Sequence, residues 1–143
     1  MTDLLIQALS IVMKVYVAAP FERKHEVLDL FRLLKKKGHS VSFDWTVHKK
    51  IKPFTENQEL AQRYSIEDIN GVKDSDVFIL LSEIEGCRGM HVELGAAILS
   101  NVRSGKPAIF VVGGHNSSSL FYFHPSVRRK ETIEQVLEGM DKD

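Results

Sequence analysis

The sequence is short of cysteine, of net charge and of long apolar runs. Its 143 residues include one cysteine, Cys87, and its 19 basic side chains balance 19 acidic ones. A single cysteine excludes an internal disulfide framework, and balanced charge gives no reason to expect binding to nucleic acid or to a membrane surface. No apolar run has the length of a membrane span, and residues 1–12 lack the features of a secretory signal. We therefore expect a cytoplasmic protein with neither kind of partner.

Metal binding finds equally little support. The six histidines are scattered along the chain, and no cluster of cysteine and histidine has the spacing of a zinc site. The sequence therefore predicts no metal centre.

The length of the chain fits one domain with a single core. Met13 begins the run MKVYVAAPF, which leads directly into a strand-like segment. We therefore treat residues 1–12 as an N-terminal extension of uncertain role and residues 13–143 as the domain. No internal repeat, low-complexity tract or linker divides it.

Segments typical of strands alternate with segments typical of helices from residue 14 to residue 140. The predicted strands cover residues 14–19, 39–45, 77–81, 107–112 and 120–123. The predicted helices cover residues 21–37, 57–72, 93–102 and 132–140. This alternation predicts an α/β fold, a doubly wound five-stranded parallel sheet with helices on both faces, of the flavodoxin-like or Rossmann-like kind.

The segment GCRGMHVELGAA, residues 86–97, places Glu93 where a glycine-bearing loop turns into a helix. Near the first helical turn, Glu93 would face unpaired backbone N–H groups and the positive end of the helix dipole, which favour the ionised carboxylate. An ionised glutamate there suits a nucleophile. Acidic residues also stabilise first helical turns without any catalytic role, so the neighbours of Glu93 must decide between the two interpretations.

Ligands of doubly wound sheets bind outside the carboxyl ends of the strands, where the loops after strands one, three and four should converge. Carboxylates are numerous in or beside these loops: Asp68, Asp74, Asp76, Glu83, Glu85 and Glu93. Two carboxylates can divide the cleavage of a glycosidic bond, one attacking the anomeric carbon and one handling the proton of the leaving group. The alternative is that these residues only begin a strand or solvate a loop.

Four segments in order carry a resemblance to a known family. They are KVYVAAPF at 14–21, EDINGVKDSDVFILL at 67–81, GMHVELGAA at 89–97 and GKPAIFVVG at 105–113. From Met13 to the last helix the chain resembles the nucleoside 2-deoxyribosyltransferases and the related 2'-deoxynucleoside 5'-monophosphate N-glycosidases. The resemblance implies an enzyme that cleaves the N-glycosidic bond of a 2'-deoxynucleoside and passes the deoxyribosyl group to another base or to water.

The resemblance also implies roles for three residues. Glu93 matches the glutamate that attacks C1' and forms a covalent glycosyl intermediate. Asp68 matches the carboxylate that faces the base and either serves as its acid or positions the proton that reaches it, and Tyr16 matches the tyrosine whose hydroxyl orients the nucleophile. No step implied in this way calls for a cofactor.

Further residues are candidate substrate contacts because they match the family or lie in the same loops. They are Ala19, Pro20, Phe21, Asp76, Cys87, Arg88, Gly89, His91, Asn116 and Ser117. Gly89 and Gly95 match glycines that let the backbone approach the sugar and let the helix pack closely. Asn116 and Ser117 fall in a region that reaches a neighbouring subunit in the family, so we expect a homodimer or a higher homo-oligomer that binds a small nucleoside or nucleotide.

Cys87 departs from the family pattern. Six residues before the nucleophile, the transferases carry an acidic residue that binds the 5'-hydroxyl, and the monophosphate hydrolases carry a serine that binds a 5'-phosphate. A thiol is a poor acceptor and a weak donor, so Cys87 supports neither substrate cleanly. Three functions stay open: deoxyribosyl transfer, hydrolysis of a 2'-deoxynucleoside 5'-monophosphate, and nucleotide binding without catalysis.

Overall fold

The computed structural model describes residues 12–141, which form a five-stranded parallel sheet in the order β2-β1-β3-β4-β5. The strands are β1 Lys14–Ala18, β2 Ser40–Val41, β3 Val77–Leu81, β4 Ala108–Val112 and β5 Val127–Lys130. The helices are α1 Lys24–Lys36, α2 Gln58–Lys73, α3 Arg88–Ser104 and α4 Ile133–Met140. The winding direction reverses between β1 and β3, which places α1 on the face opposite α2 and α3. This confirms the predicted fold class.

The three central strands form the core of the sheet. Every residue of β3 is buried, as are four of the five residues in β1 and in β4. Continuous apolar strands of this kind are typical of parallel sheets covered on both faces. Helix α2 packs against α3 on one face, so residues of these two helices lie close together above the centre of the sheet.

Helix α1 ends where its glycine predicts. Gly38 adopts a left-handed conformation with φ of 90°, which glycine adopts without a steric penalty. The backbone N–H groups of Gly38 and His39 donate to the carbonyls of Lys35 and Leu34. These bonds satisfy carbonyl groups at the helix end and return the chain to the sheet at β2.

The predicted second strand is wrong in its length. It was expected over residues 39–45 and pairs only at Ser40–Val41. The side chain of Asp44 accepts from the backbone N–H of Thr46 and begins a single 3₁₀ turn at Trp45–Val47. The indole Nε1 of the buried Trp45 donates to the Val17 carbonyl at 2.6 Å, which keeps this turn against β1.

The predicted fifth strand is wrong in its position. Residues 120–123 form a 3₁₀ helix that buries only Tyr122, and the strand lies further on at Val127–Lys130. The side chain of Ser119 accepts from the backbone N–H of Phe121 and starts the helical turn. The true strand reads VRRK, and its partly polar edge gave no apolar signal.

Helix α3 begins five residues earlier than predicted. Cys87 is its N-cap, and the sulfur accepts from the Met90 backbone N–H at 3.4 Å. Glu93 therefore lies in the second turn of the helix and not in the first. No helix within residues 12–141 is long and apolar enough to cross a membrane. Of the predicted extension 1–12, all but the exposed Val12 lies outside the described residues.

Candidate active site

Three side chains from three elements meet above the centre of the sheet. Tyr16 comes from β1, Asp68 from α2 and Glu93 from α3. The Tyr16 hydroxyl donates to Glu93 Oε2, and the charge of Asp68 acts on both of the other two groups. The structure thus brings together the three residues for which the resemblance implied catalytic roles.

Packing fixes the position of Tyr16. Its ring is fully buried and stacks on Phe78 of the neighbouring strand, with centroids 5.9 Å apart and planes 4° from parallel. Gly71 lets α2 approach this ring, since a Cβ there would lie 2.7 Å from Phe43 Cβ and 2.9 Å from Tyr16 Cε2. Gly71 therefore helps to bring α2, which carries Asp68, close to Tyr16.

Burial controls the protonation of Glu93. Desolvation, with a smaller contribution from the negative charge of Asp68, raises its pKa to about 8, although the hydrogen bond from Tyr16 acts in the opposite direction. The expectation that the helix start favours ionised Glu93 is wrong, because Glu93 lies one turn beyond the free N–H groups. In the free protein at pH 7, Glu93 is mostly a neutral acid.

Asp68 is a second carboxyl group with perturbed protonation. Burial, followed by the charge of Glu67, raises its pKa to about 6. Its Oδ1 is buried and has no hydrogen-bond partner among residues 12–141. A carboxyl group with a pKa close to neutral can act as a general acid or base near physiological pH.

Tyr16 stays a hydroxyl donor throughout this range. Burial and the charges of Glu93 and Asp68 all raise its pKa far above the ordinary value. A hydroxyl that donates a hydrogen bond stabilises an ionised carboxylate more strongly than it stabilises a protonated carboxyl group. Tyr16 can therefore stabilise the ionised form of Glu93.

A cleft of about 650 Å³ lies between the loops that follow β1, β3 and β4. It is lined by Pro20, Glu22, Arg23, Glu83, Ile84, Glu85, Gly86, Cys87 and His115. The guanidinium of Arg23 holds two of these loops together, because its Nη1 donates to the Ser82 carbonyl and to Glu83 Oε1, at 3.1 and 3.2 Å. One lining residue, Cys87, is the N-cap of α3, the helix that also carries Glu93.

Cys87 and His91 both serve local structure in the unbound protein. Burial raises the pKa of the Cys87 thiol, so it stays a thiol and caps α3. His91 Nδ1 lies 3.1 Å from the Cys87 carbonyl, and its Nε2 lies 3.2 Å from the Tyr122 hydroxyl. A Cβ at Gly86 would lie 2.6 Å from His91 Cε1, so the loop needs glycine at that position.

The remaining candidate contacts divide between the site and other parts of the sheet. Ala19, Pro20 and Phe21 follow the end of β1, and Arg88, Gly89 and Ser117 are exposed in the nearby loops and first helical turn. A Cβ at Gly89 or Gly95 would meet nothing within 4 Å. Gly89 therefore leaves open space, and the close packing expected at Gly95 is absent within the described chain.

The structure does not bring Asp76 to the site. Asp76 precedes β3 at the amino end of the strands, where its Oδ2 accepts from the Lys14 backbone N–H at 2.9 Å. Asn116 is buried, and its Nδ2 donates to the Lys130 carbonyl at 2.9 Å. Its side chain therefore fixes the loop after β4 to β5 in this chain.

Sequence analysis missed His48, which lies beside Asp68. The imidazole stacks on Tyr64 with ring centroids 3.7 Å apart. No motif or spacing marked this residue, because it follows a short turn without a regular pattern. Within residues 12–141, no three His, Cys, Asp or Glu side chains are grouped as metal ligands would be.

No protein-family model matches the chain, and no curated protein sequence does. A solved structure, the CMP N-glycosidase BcmB of Clostridium botulinum, superposes with a TM-score of 0.57 and 18% identity. The superposition covers 90% of this chain and 98% of that chain. The chain shares the fold of an N-glycosidase. At this identity the likeness establishes the fold, and the chemistry must be argued from the site.

Proposed function

We propose that this protein cleaves the N-glycosidic bond of a 2'-deoxynucleoside and transfers the deoxyribosyl group to another base through a covalent glycosyl-Glu93 intermediate. The observation that carries the proposal is the hydrogen bond from Tyr16 to Glu93 in a partly buried site that also contains Asp68. A nucleophile, a group that orients it and an acid are the parts that this reaction requires.

Each half-reaction has a defined use for these groups. In the first, the Glu93 carboxylate attacks C1', the electrons of the C1'–N bond pass to the departing base, and Asp68 donates its proton to that base. In the second, a nitrogen of the incoming base attacks C1', Glu93 leaves as a carboxylate, and the nitrogen loses its proton to Asp68. Water in place of the second base would make the enzyme a hydrolase.

The free site has to redistribute one proton before it reacts. Between pH of about 6 and about 8 the two carboxyl groups hold a single proton, and their pKa values favour Glu93 as its carrier. Attack requires the opposite arrangement. Positive charge developing on the sugar, together with the Tyr16 donor, favours ionised Glu93, and the displaced proton is then available on Asp68.

A 2'-deoxynucleoside 5'-monophosphate N-hydrolase is the second candidate function. It is favoured by the fold shared with a protein described as acting on CMP, a nucleotide. The cleft beside Cys87 also contains Arg23 and His115, which are side chains able to bind a phosphate. The Arg23 guanidinium already binds Glu26 and Glu83, so a phosphate would compete with these carboxylates.

Base release distinguishes these functions. The protein is incubated with each deoxynucleoside, each deoxynucleoside monophosphate and each ribose counterpart, with and without a free acceptor base, and the bases are separated by chromatography. Exchange that depends on the acceptor indicates a transferase, and release without it indicates a hydrolase. Mass spectrometry of quenched protein should find the deoxyribosyl adduct on Glu93.

Glu93→Gln is the decisive variant, with Glu134→Gln on the exposed surface of α4 as its matched control. We expect Glu93→Gln to lower the rate by about 10⁴-fold or more and the control to keep it. Activity retained by Glu93→Gln would reject the nucleophile, and absence of base release from every substrate would leave a nucleotide-binding module as the function.

We further propose that the protein forms a homodimer or a higher oligomer through α3. Val92, Leu99 and Val102 are 63%, 59% and 62% exposed and lie at spacings of seven and three residues. This spacing places them on one face of the helix, as an apolar stripe without a partner in the described chain. Sedimentation at micromolar concentration should give at least a dimer, and Leu99→Glu should dissociate it.

A further inference from the structure

His48 is held in a defined orientation beside the candidate acid. Its ring lies between Tyr64, with centroids 3.7 Å apart, and Phe43, with centroids 5.3 Å apart. Only 11% of the side chain is exposed. Stacking on Tyr64, with planes 9° from parallel, fixes the plane in which the two ring nitrogens lie.

The two nitrogens face two different carboxyl groups. Nε2 lies 3.3 Å from Glu67 Oε1, and Nδ1 lies 3.8 Å from Asp68 Oδ1. That Asp68 oxygen is buried and has no hydrogen-bond partner in the described part of the chain. A rotamer adjustment that closes the gap by about 1 Å would form a hydrogen bond of ordinary length.

The contacts define where the proton of His48 resides. Burial lowers the pKa of His48, so the ring is neutral at pH 7 and has one donor and one acceptor nitrogen. A Glu67 carboxylate can only accept, so Nε2 carries the hydrogen. Nδ1 is then a bare acceptor directed at Asp68, and only a protonated Asp68 can bond to it.

We propose that His48 is a positioning residue that holds the catalytic proton on Asp68 through an O–H···Nδ1 hydrogen bond in the reactive arrangement, in which Glu93 is ionised. The inference rests on the proposed function, since it assigns the way in which that site orders its single proton. During bond cleavage the proton passes from Asp68 to the departing base, and in the second half-reaction it returns to Asp68. His48 stays neutral throughout.

Other charged groups surround the pair of His48 and Asp68. Glu67 on α2 lies beside both His48 and Asp68, and Arg63, one turn earlier, lies 3.6 Å from Glu67. The charge of Asp44 also acts on His48, and Glu93 on α3 and Tyr16 on β1 interact with the charge of Asp68. None of these offers Asp68 an acceptor nitrogen, which distinguishes His48 from them.

Three substitutions distinguish the contributions of the two His48 ring nitrogens from that of the stacked ring. His48→Asn keeps a polar group near the Nδ1 position, His48→Gln places it near the Nε2 position, and His48→Phe keeps the stacked ring without either nitrogen. His25→Gln on the exposed surface of α1 is the control. Thermal unfolding of each variant confirms that it is folded.

The first measurement needs no activity. NMR titration of the Asp68 side-chain carboxyl carbon should give a pKa lower by about one unit in His48→Phe and His48→Gln, with His48→Asn and the control close to wild type. The nitrogen shifts of His48 should identify the Nε2–H form. An Asp68 pKa that is equal in all variants, or a hydrogen found on Nδ1, overturns the inference even if the enzyme is active.

The second measurement tests the consequence for catalysis. On the nucleoside or nucleotide found active, His48→Phe and His48→Gln should lower kcat about ten-fold with KM within two-fold, because general-acid catalysis is impaired. On 4-nitrophenyl 2-deoxyriboside with the matching 5' group, whose leaving group needs no proton, the loss should disappear. An equal loss on both substrates would indicate a structural role and reject the inference. If wild type releases no base, the proposed function fails and the titration alone decides the role of His48.

Discussion

The two ends of the candidate site are built in different ways. At the base end, Asp68, His48 and Tyr64 belong to helix α2 or stack on it, and the carboxyl oxygen nearest His48 is buried. At the other end, the cleft is bounded by loop residues 83–87, of which Ile84 is 69% exposed. Under the proposed function, the chemistry would therefore be carried by packed elements and the sugar's 5' end would be recognised by a loop.

This difference would let the reaction rate and the substrate preference vary independently. A group on a packed helix keeps its distance from the nucleophile, as proton transfer requires. A loop can change its side chains without disturbing the sheet, as substrate choice requires. We therefore expect substitutions at the base end to affect rate and pH dependence, and substitutions at the loop end to affect the ratio between substrates.

Removing the acid tests the base end with the largest expected effect. Asp68→Asn should lower kcat/KM by about 10²- to 10³-fold, because the base must leave without a proton. Wild type should show a bell-shaped dependence of kcat/KM on pH with limbs near 6 and 8, from the two pKa values of the carboxyl pair.

In Asp68→Asn the fall at high pH should disappear, since only the ionisation of Glu93 then controls activity. The rise that remains should lie somewhat below pH 8, because the charge of Asp68 no longer raises the pKa of Glu93. An unchanged bell in this variant would contradict the assignment of Asp68. Asp74→Asn, at the exposed end of α2, is the matched control.

Tyr16→Phe tests the hydrogen bond between Tyr16 on β1 and Glu93. The substitution keeps the ring that stacks on Phe78 and removes the only side-chain hydrogen bond to Glu93 within the described residues. We expect a rate loss of about ten- to a hundred-fold and a further rise in the pKa of Glu93, since the Tyr16 hydrogen bond lowers it. The limb of kcat/KM near pH 8, which the ionisation of Glu93 sets, should therefore move to higher pH. A loss of rate with no change in the pH profile would mean that Tyr16 only fills space.

The central strands were predictable for a physical reason, whereas Tyr16, Asp68 and Glu93 were identified as candidates through the family resemblance. β1, β3 and β4 are buried on both faces, so their residues must be apolar. β5 was missed because its VRRK residues pair at the sheet edge through the backbone, which side chains do not reveal. The start of α3 was missed because a cysteine sulfur acts as its cap, whereas Ser, Thr, Asp and Asn are the usual cap residues. His48 has its place through tertiary stacking, which leaves no periodic pattern.

Folding stability provides a test that does not depend on substrate. The pKa of Glu93 rises from 4.5 in the unfolded chain to about 8 in the folded protein, so the folded state binds more protons between these values. The contribution of Glu93 to the free energy of unfolding should therefore fall as pH rises from about 4.5 to about 8. Glu93→Gln removes this cost and keeps an acceptor for Tyr16.

At pH 8.5 we expect Glu93→Gln to be more stable than wild type by several kcal/mol, which corresponds to a Tm higher by about 10 °C or more. At pH 4.5 the difference should vanish. Differential scanning calorimetry across this range measures both values, with Glu134→Gln as the control. A constant difference at all pH values would contradict the raised pKa of Glu93.

Substitution of Cys87 tests the loop end with the smallest expected effect on rate. Serine offers a hydroxyl donor to a 5'-phosphate, and aspartate offers an acceptor to a 5'-hydroxyl while repelling a phosphate. We expect Cys87→Ser to raise the ratio of kcat/KM for monophosphate over nucleoside about five-fold, and Cys87→Asp to lower it by a similar factor.

Both are better N-caps than cysteine, so both should stabilise α3 whichever substrate is used. Cys87→Ala removes the cap and the polar contact together, and it should lower Tm with little change in the ratio. If Cys87→Ser and Cys87→Asp shift specificity in opposite directions but stabilise the protein equally, residue 87 affects recognition of the 5' end independently of the stability of α3. If both variants shift specificity in the same direction, the 5' end binds elsewhere in the cleft.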